Sequence, residues 1–118
     1  MLVTARHWTA QYEWYAHRRM ATEAGVAPAI IDAIAEGREP EFADDRESLV
    51  YRFARTLVKE LTVGQELFDE ALAALGEVTL VDLVGVLGYY AFVSITLNVF
   101  DVDIPDGGVP ELKPLAPR

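Results

Sequence analysis

Residues 80–100 read LVDLVGVLGYYAFVSITLNVF, a run of 21 residues apolar enough and long enough to span a bilayer. Asp82 falls inside it, Ser94, Thr96 and Asn98 add polar groups, and no Lys or Arg flanks either end to anchor or orient a span. A helix that is apolar nearly all round is also what the centre of a bundle or an oligomer requires. The stretch therefore reads as the buried helix of a soluble domain with no membrane contact, opened by the cap spacing of Thr79 and Asp82.

Working back toward the start, Thr62 and Gln65 have the spacing of a capping box for a helix carrying Leu67, Phe68, Ala71, Leu72 and Leu75, closed by Gly76. Before it, Asp44 or Asp45 caps a helix in which Leu49, Tyr51, Phe53, Ala54, Leu57, Val58 and Leu61 form a buried stripe. Pro28 suits the first turn of a short helix through Ile30, Ile31 and Ile34, stopped by Gly37. The first segment, Val3 to Ala24, reads as one amphipathic helix ending at Gly25. No strand pattern competes, so the fold class is all-α, about five helices with short joints. From Asp101 onward Pro, Gly and charge take over. This divides the chain into a helical domain over residues 1–104 and a tail over 105–118 that is either an extended arm or disordered.

At 118 residues the chain is of single-domain size. Apolar residues make up 52% and charged residues 25%, a balance that folds. Ten basic against nineteen acidic side chains leave a net charge of −9, the wrong sign for a nucleic-acid partner. There is no cysteine, which removes disulfides, thiolate ligands and thiol peroxidase chemistry. No secretory leader opens the chain, and a cytoplasmic protein is expected. The helix-compatible residues that follow Met1 carry no cap signal, so the chain is expected to begin inside an element or at its edge.

Catalytic-type side chains concentrate in the first helix: His7, Tyr12, Glu13 and His17, with Trp8 and Trp14 beside them. Glu13 and His17 are four positions apart and so share a helix face. A carboxylate beside an imidazole fixes its tautomer and raises its pKa, which suits acid/base work near neutral pH. The same spacing also describes an ordinary surface pair contributing ~0.3 kcal/mol. Two candidate ligands are too few for a zinc or iron site, and no metal is expected. Gly85 and Gly88 precede Tyr89 and Tyr90, where each glycine costs ~1 kcal/mol in a helix interior. Close approach of another helix or a ligand is the expected compensation. Asn98 is expected to be buried and bonded to the backbone of a neighbouring element.

The order of RHWTAQYEWYAHRRMATEAGV (residues 6–26), IIDAI (30–34), LVYRFARTL (49–57) and LVDLVGVLGYYAFVSITLNVFDV (80–102) resembles the carboxymuconolactone decarboxylase family, over roughly residues 3 to 104. YEWYAH and GYYAF…LNVF are its most specific parts. The resemblance implies an alkyl hydroperoxidase D-like bundle. In the peroxidase branch a C-x-x-C-x-x-x-H motif stands where this chain has Ala10, Glu13 and His17, so both cysteines are replaced and the histidine is kept. The resemblance implies that His17 lines the pocket as proton donor, that Glu13 takes the place of the reactive thiol and orients His17, and that Tyr12 or Tyr89 bonds a developing oxyanion. Trp14, Tyr89 and Arg6 are the candidate substrate-binding residues. It further implies a carboxy-lyase needing no cofactor, acting on a small-molecule substrate such as a carboxylated lactone, and assembly as a homo-oligomer, a trimer or hexamer. Family members carry a further helical stretch before this point. The competing reading is a non-catalytic helical oligomer that binds a small ligand or partner in a relic pocket.

Overall fold

The computed structural model describes residues 1–114, and its α-helices run in the order α1 (Leu2–Trp8), α2 (Gln11–Glu23), α3 (Pro28–Ala35), α4 (Asp45–Glu60) and α5 (Gln65–Val99). A 3-10 turn at Pro105–Gly107 follows, and no strand occurs among the described residues. The fold is all-α.

The shortest helix is the hub, because α1 packs against each of the other four. Thr4 and Ala5 are fully buried there, small enough to let the longer helices close around them. Two apolar clusters result. Leu49, Phe53 and Ala54 of α4 meet Ala71, Leu75, Leu80 and Leu87 of α5. Trp14, Ile30, Ile31 and Ile34 gather around Ala5 and Leu112. The helix ends follow local chemistry: Asp44 Oδ1 accepts from the Glu47 N–H at 2.9 Å, and Gly37, at φ 74°, ends α3 with Arg38 N–H donating to Ala33 O at 2.8 Å.

Several expectations need correction. Leu61, expected in the buried stripe of α4, is 85% exposed at its left-handed C-cap, and Thr79 and Asp82 open no helix, since both lie inside α5. The segment Val3 to Ala24 is two helices, because Thr9 turns left-handed (φ 48°, ψ 44°) and Ala10 is extended. The Arg6 guanidinium stabilises the break by donating to Thr9 Oγ1 at 2.8 Å. The Thr62–Gln65 capping box does not form, since α5 starts at Gln65 with Gly64 as its N-cap, and Gln65 Nε2 donates instead to Asp69 Oδ1. Asn98 does bond backbone, donating to Trp8 O at 2.8 Å, but it is exposed.

Helix α5 takes in both of the last two helices expected from the sequence. Gly76 interrupts it at φ 80°, ψ 166°, a conformation open essentially to glycine alone, so the two helices read from the sequence are its two arms. A straight helix of that length would reach about 50 Å, longer than the 43 Å of the whole chain's longest dimension. The second arm is not enclosed by its own chain: Val81, Phe92 and Val99 are 64%, 67% and 70% exposed. By length and composition α5 is long and apolar enough to cross a membrane.

Of the two alternatives for the tail, residues 105–114 form a docked arm. Leu112 is buried against the Trp14 cluster, its N–H donates to Gln11 Oε1 at 3.0 Å, and its carbonyl accepts from Gln11 Nε2 at 2.7 Å. Glu111 pairs with Arg18 and Arg19 of α2. Residues 115–118 of that tail lie outside the described residues.

Candidate functional site

The first turn of α2 turns inward, and Glu13, Trp14 and His17 are all buried. Glu13 is 1% exposed, and its carboxyl Oε2 accepts a hydrogen bond from the hydroxyl of Ser94 on α5, itself fully buried. The other oxygen, Oε1, has no hydrogen-bond partner among the described residues. Removal from water disfavours the charged form, and Glu13 is pushed up to about 7, with the nearby Met1 amino group pulling weakly the other way. Near neutral pH this carboxyl is therefore half protonated.

His17 is held by Glu13, but through the main chain. Nδ1 lies 2.9 Å from the Glu13 carbonyl oxygen, the i to i−4 acceptor, so Nδ1 carries the hydrogen and Nε2 keeps its lone pair. The ring also meets Tyr90 edge to face at 4.7 Å between centroids. Burial pushes the imidazole below its usual value of 6.5, outweighing the Glu13 carbonyl bond that acts in the opposite direction. The sequence expectation of a raised pKa is thus reversed: the side-chain carboxylate that was to raise it is engaged with Ser94. His17 is a neutral imidazole at neutral pH, set up to accept a proton first.

His17 forms part of the wall of a cavity of about 620 Å³ between α2, α3, α4 and α5. Met20 and Ala21 follow it along α2, Ile34 comes from α3, and Val50 and Leu87 come from α4 and α5. The charged residues on the wall, Asp44, Arg46 and Glu47, are all solvent-exposed. Such a space suits a small, largely apolar molecule.

The other predicted site residues go elsewhere. Trp14 is 1% exposed and belongs to the core around Leu112. Tyr89 faces outward, stacking edge-on against Tyr90. Tyr12 is half-buried on α2 and does not line the cavity. Arg6 is a staple: its guanidinium donates to Ala35 O at 3.3 Å, Lys113 O at 2.9 Å and Thr9 Oγ1, tying α1 to α3 and to the terminal arm. It lines a separate cavity of about 210 Å³ with Arg38 and Arg55. Among the described residues no three His, Cys, Asp or Glu side chains gather as a metal site would need.

Ser94 was visible in the sequence only as a polar interruption of an apolar run. Its spacing within α5, which places it among the few buried positions of the second arm with Leu80 and Leu87, was the available signal. Comparison with protein-family models, with curated proteins and with solved structures gives no match to this chain.

Proposed function

We propose that the chain is a cofactor-free acid/base enzyme of the carboxymuconolactone decarboxylase kind, with that family's alkyl hydroperoxidase D-like bundle, acting in the cytoplasm on a small carboxylated lactone or carbonyl compound. The observation that carries this reading is His17: a neutral imidazole, fixed in one tautomer by the Glu13 carbonyl, on the wall of an apolar cavity of ligand size. In this reading Nε2 accepts a proton from the carbon next to the substrate carbonyl. The C–H electron pair becomes part of an enolate, and the resulting imidazolium returns the proton to carbon. Decarboxylation at the same site requires Nε2 to take up a proton first, from the substrate's carboxylic acid group; CO₂ then departs with its C–C electron pair left in an enolate, and the imidazolium returns that proton to carbon.

The outer face of α5 supports a homo-oligomer, trimer or hexamer. Val81, Phe92, Ile95 and Val99 are exposed on it, and an added Cβ at Gly85 or Gly88 would meet nothing within 4 Å in the lone chain. An exposed apolar surface of this kind is the usual mark of an interface. The absence of Lys and Arg from residues 61 to 112 favours a second copy over an anionic lipid surface.

The test follows both reactions with the native chain and His17→Ala: CO₂ release from 4-carboxymuconolactone and related β-keto and lactone acids, and deuterium uptake next to the carbonyl of simple ketones in D₂O. Turnover by the native chain that collapses in the variant supports the enzyme. Turnover that survives in the variant removes His17 from the chemistry, and no turnover on any compound leaves the non-catalytic ligand-binding oligomer.

A further inference from the structure

The cavity wall narrows the substrate class further than the proposed activity does. A carboxylate entering this space gives up its hydration and needs a cation or several donors in return. The wall offers little of either. Its one basic side chain is Arg46, which is exposed and shares the α4 N-terminus with Asp44 and Glu47. The Met1 amino group, also at the wall, is pushed by burial toward its neutral form. Arg6, the one cation among the candidate substrate-binding residues, directs its donors to Ala35, Lys113 and Thr9 and does not line this cavity. An organic cation fares no better: Asp44 and Glu47 are exposed, and the Glu13 carboxyl does not line the cavity. What remains inside is aliphatic and aromatic surface, with the His17 imidazole and the half-buried Tyr51 as the polar side chains of the wall that are not exposed, and neither is an ion at neutral pH.

We propose that the cavity between α2, α3, α4 and α5 selects an uncharged, mainly hydrocarbon carbonyl compound, seated with the C–H next to its carbonyl at His17 Nε2 and its apolar body along Met20, Ile34, Val50 and Leu87. The proposal rests on this cavity being the site of the activity proposed above, and it assigns that site a neutral ketone, aldehyde or ester in place of a carboxylic acid. Proton transfer next to the carbonyl, shifting a double bond or exchanging a hydrogen, is then the reaction open to it, since a substrate without a carboxylate has no CO₂ to lose.

The experiment measures binding by calorimetry at pH 7.5 with three probes of one chain length: 2-decanone, decanoate and decylammonium. The ketone is expected to bind at least about tenfold more tightly than either ion. Two variants fill the cavity from different walls, Ala54→Trp from the buried side and Val86→Trp from a half-exposed position. Either, if it retains the native circular dichroism, is expected to abolish ketone binding. Equal or tighter binding of decanoate or decylammonium overturns the proposal, as does ketone binding that both folded variants retain, or no ketone binding at all. Ketone binding without deuterium exchange next to its carbonyl upholds the ligand class while removing the enzymatic reading, so the two fail separately.

Discussion

Ser94 on α5 donates its hydroxyl hydrogen to the carboxyl of Glu13 on α2, joining two fully buried side chains 81 positions apart in sequence. The bond closes the long helix onto the segment that carries His17. Burial of the carboxyl between the two helices, and not the bond itself, pushes Glu13 up to about 7.

The pH dependence of stability follows from that burial. Glu13 ionises near 4.5 when unfolded and near 7 when folded, so the unfolded chain releases this proton first. Its effect on stability is most favourable below about pH 4.5, declines as pH rises toward 7 and is level above that, a change on the order of 3 kcal/mol. Urea midpoints measured from pH 4 to 8 are expected to fall in the native chain relative to Glu13→Gln, which keeps a partner for Ser94 but cannot ionise. Parallel curves for the two proteins would place the Glu13 carboxyl in water.

His17 has the opposite sign. Its folded pKa lies below 6.5, so this imidazole contributes stability that is complete above 6.5 and is lost as pH falls through the folded value. In the proposed activity the neutral form is the working one, and the rate of deuterium exchange is expected to rise with pH along a limb whose midpoint lies below 6.5. His17→Gln should lower that rate by about 10²-fold or more and remove the limb. A limb that persists in the variant assigns it to another group.

Docking of the terminal arm depends on Gly108 at its crossing of α2. A Cβ there would lie 2.5 Å from Tyr15 Cε2 and 2.7 Å from Ile104 Cγ2, and the Tyr15 ring is pinned by the Arg19 guanidinium 3.4 Å above it. Gly108→Ala is expected to cost about 1–3 kcal/mol and to raise hydrogen exchange at the Leu112 amide. Tyr15→Ala combined with it should return much of the loss. An unchanged denaturation midpoint in Gly108→Ala would mean that the arm crosses elsewhere.

The outer face of α5 makes its own prediction. Light scattering on the native chain is expected to give a trimer or hexamer, and Phe92→Glu, at a 67% exposed position, a smaller species with unchanged helix content. A native chain that is monomeric across the micromolar range removes the oligomer.

Much of this architecture is written locally. The Asp44 cap and the glycines at 25, 37 and 76 depend on neighbours within a turn or two and act where the sequence puts them, and the stripe of α4 holds from Leu49 to Val58 but fails at Leu61, which is 85% exposed at the helix end. The break at Thr9 has no such signature: Arg6 bonds the Thr9 hydroxyl from within one turn, but its guanidinium also bonds Ala35 and Lys113, which lie 29 and 107 positions away. His17 was the histidine singled out from the sequence and it lines the cavity, but the Glu13 side chain turns to Ser94, which no helical periodicity in α2 reveals. The arm was ambiguous for a similar reason: Pro and Gly forbid a helix there, yet say nothing of the bonds that Gln11 offers to Leu112.

Those bonds carry a consequence for the order in which the molecule is completed. Gln11 and Leu112 are 101 positions apart, Arg6 and Lys113 are 107 apart, and Leu112 belongs to the cluster around Trp14. During translation the earliest helices thus emerge before the residue that covers them has been made. The Trp14 side stays unsealed until synthesis has passed residue 113, so the segment that bears His17 is completed only after all five helices have been made.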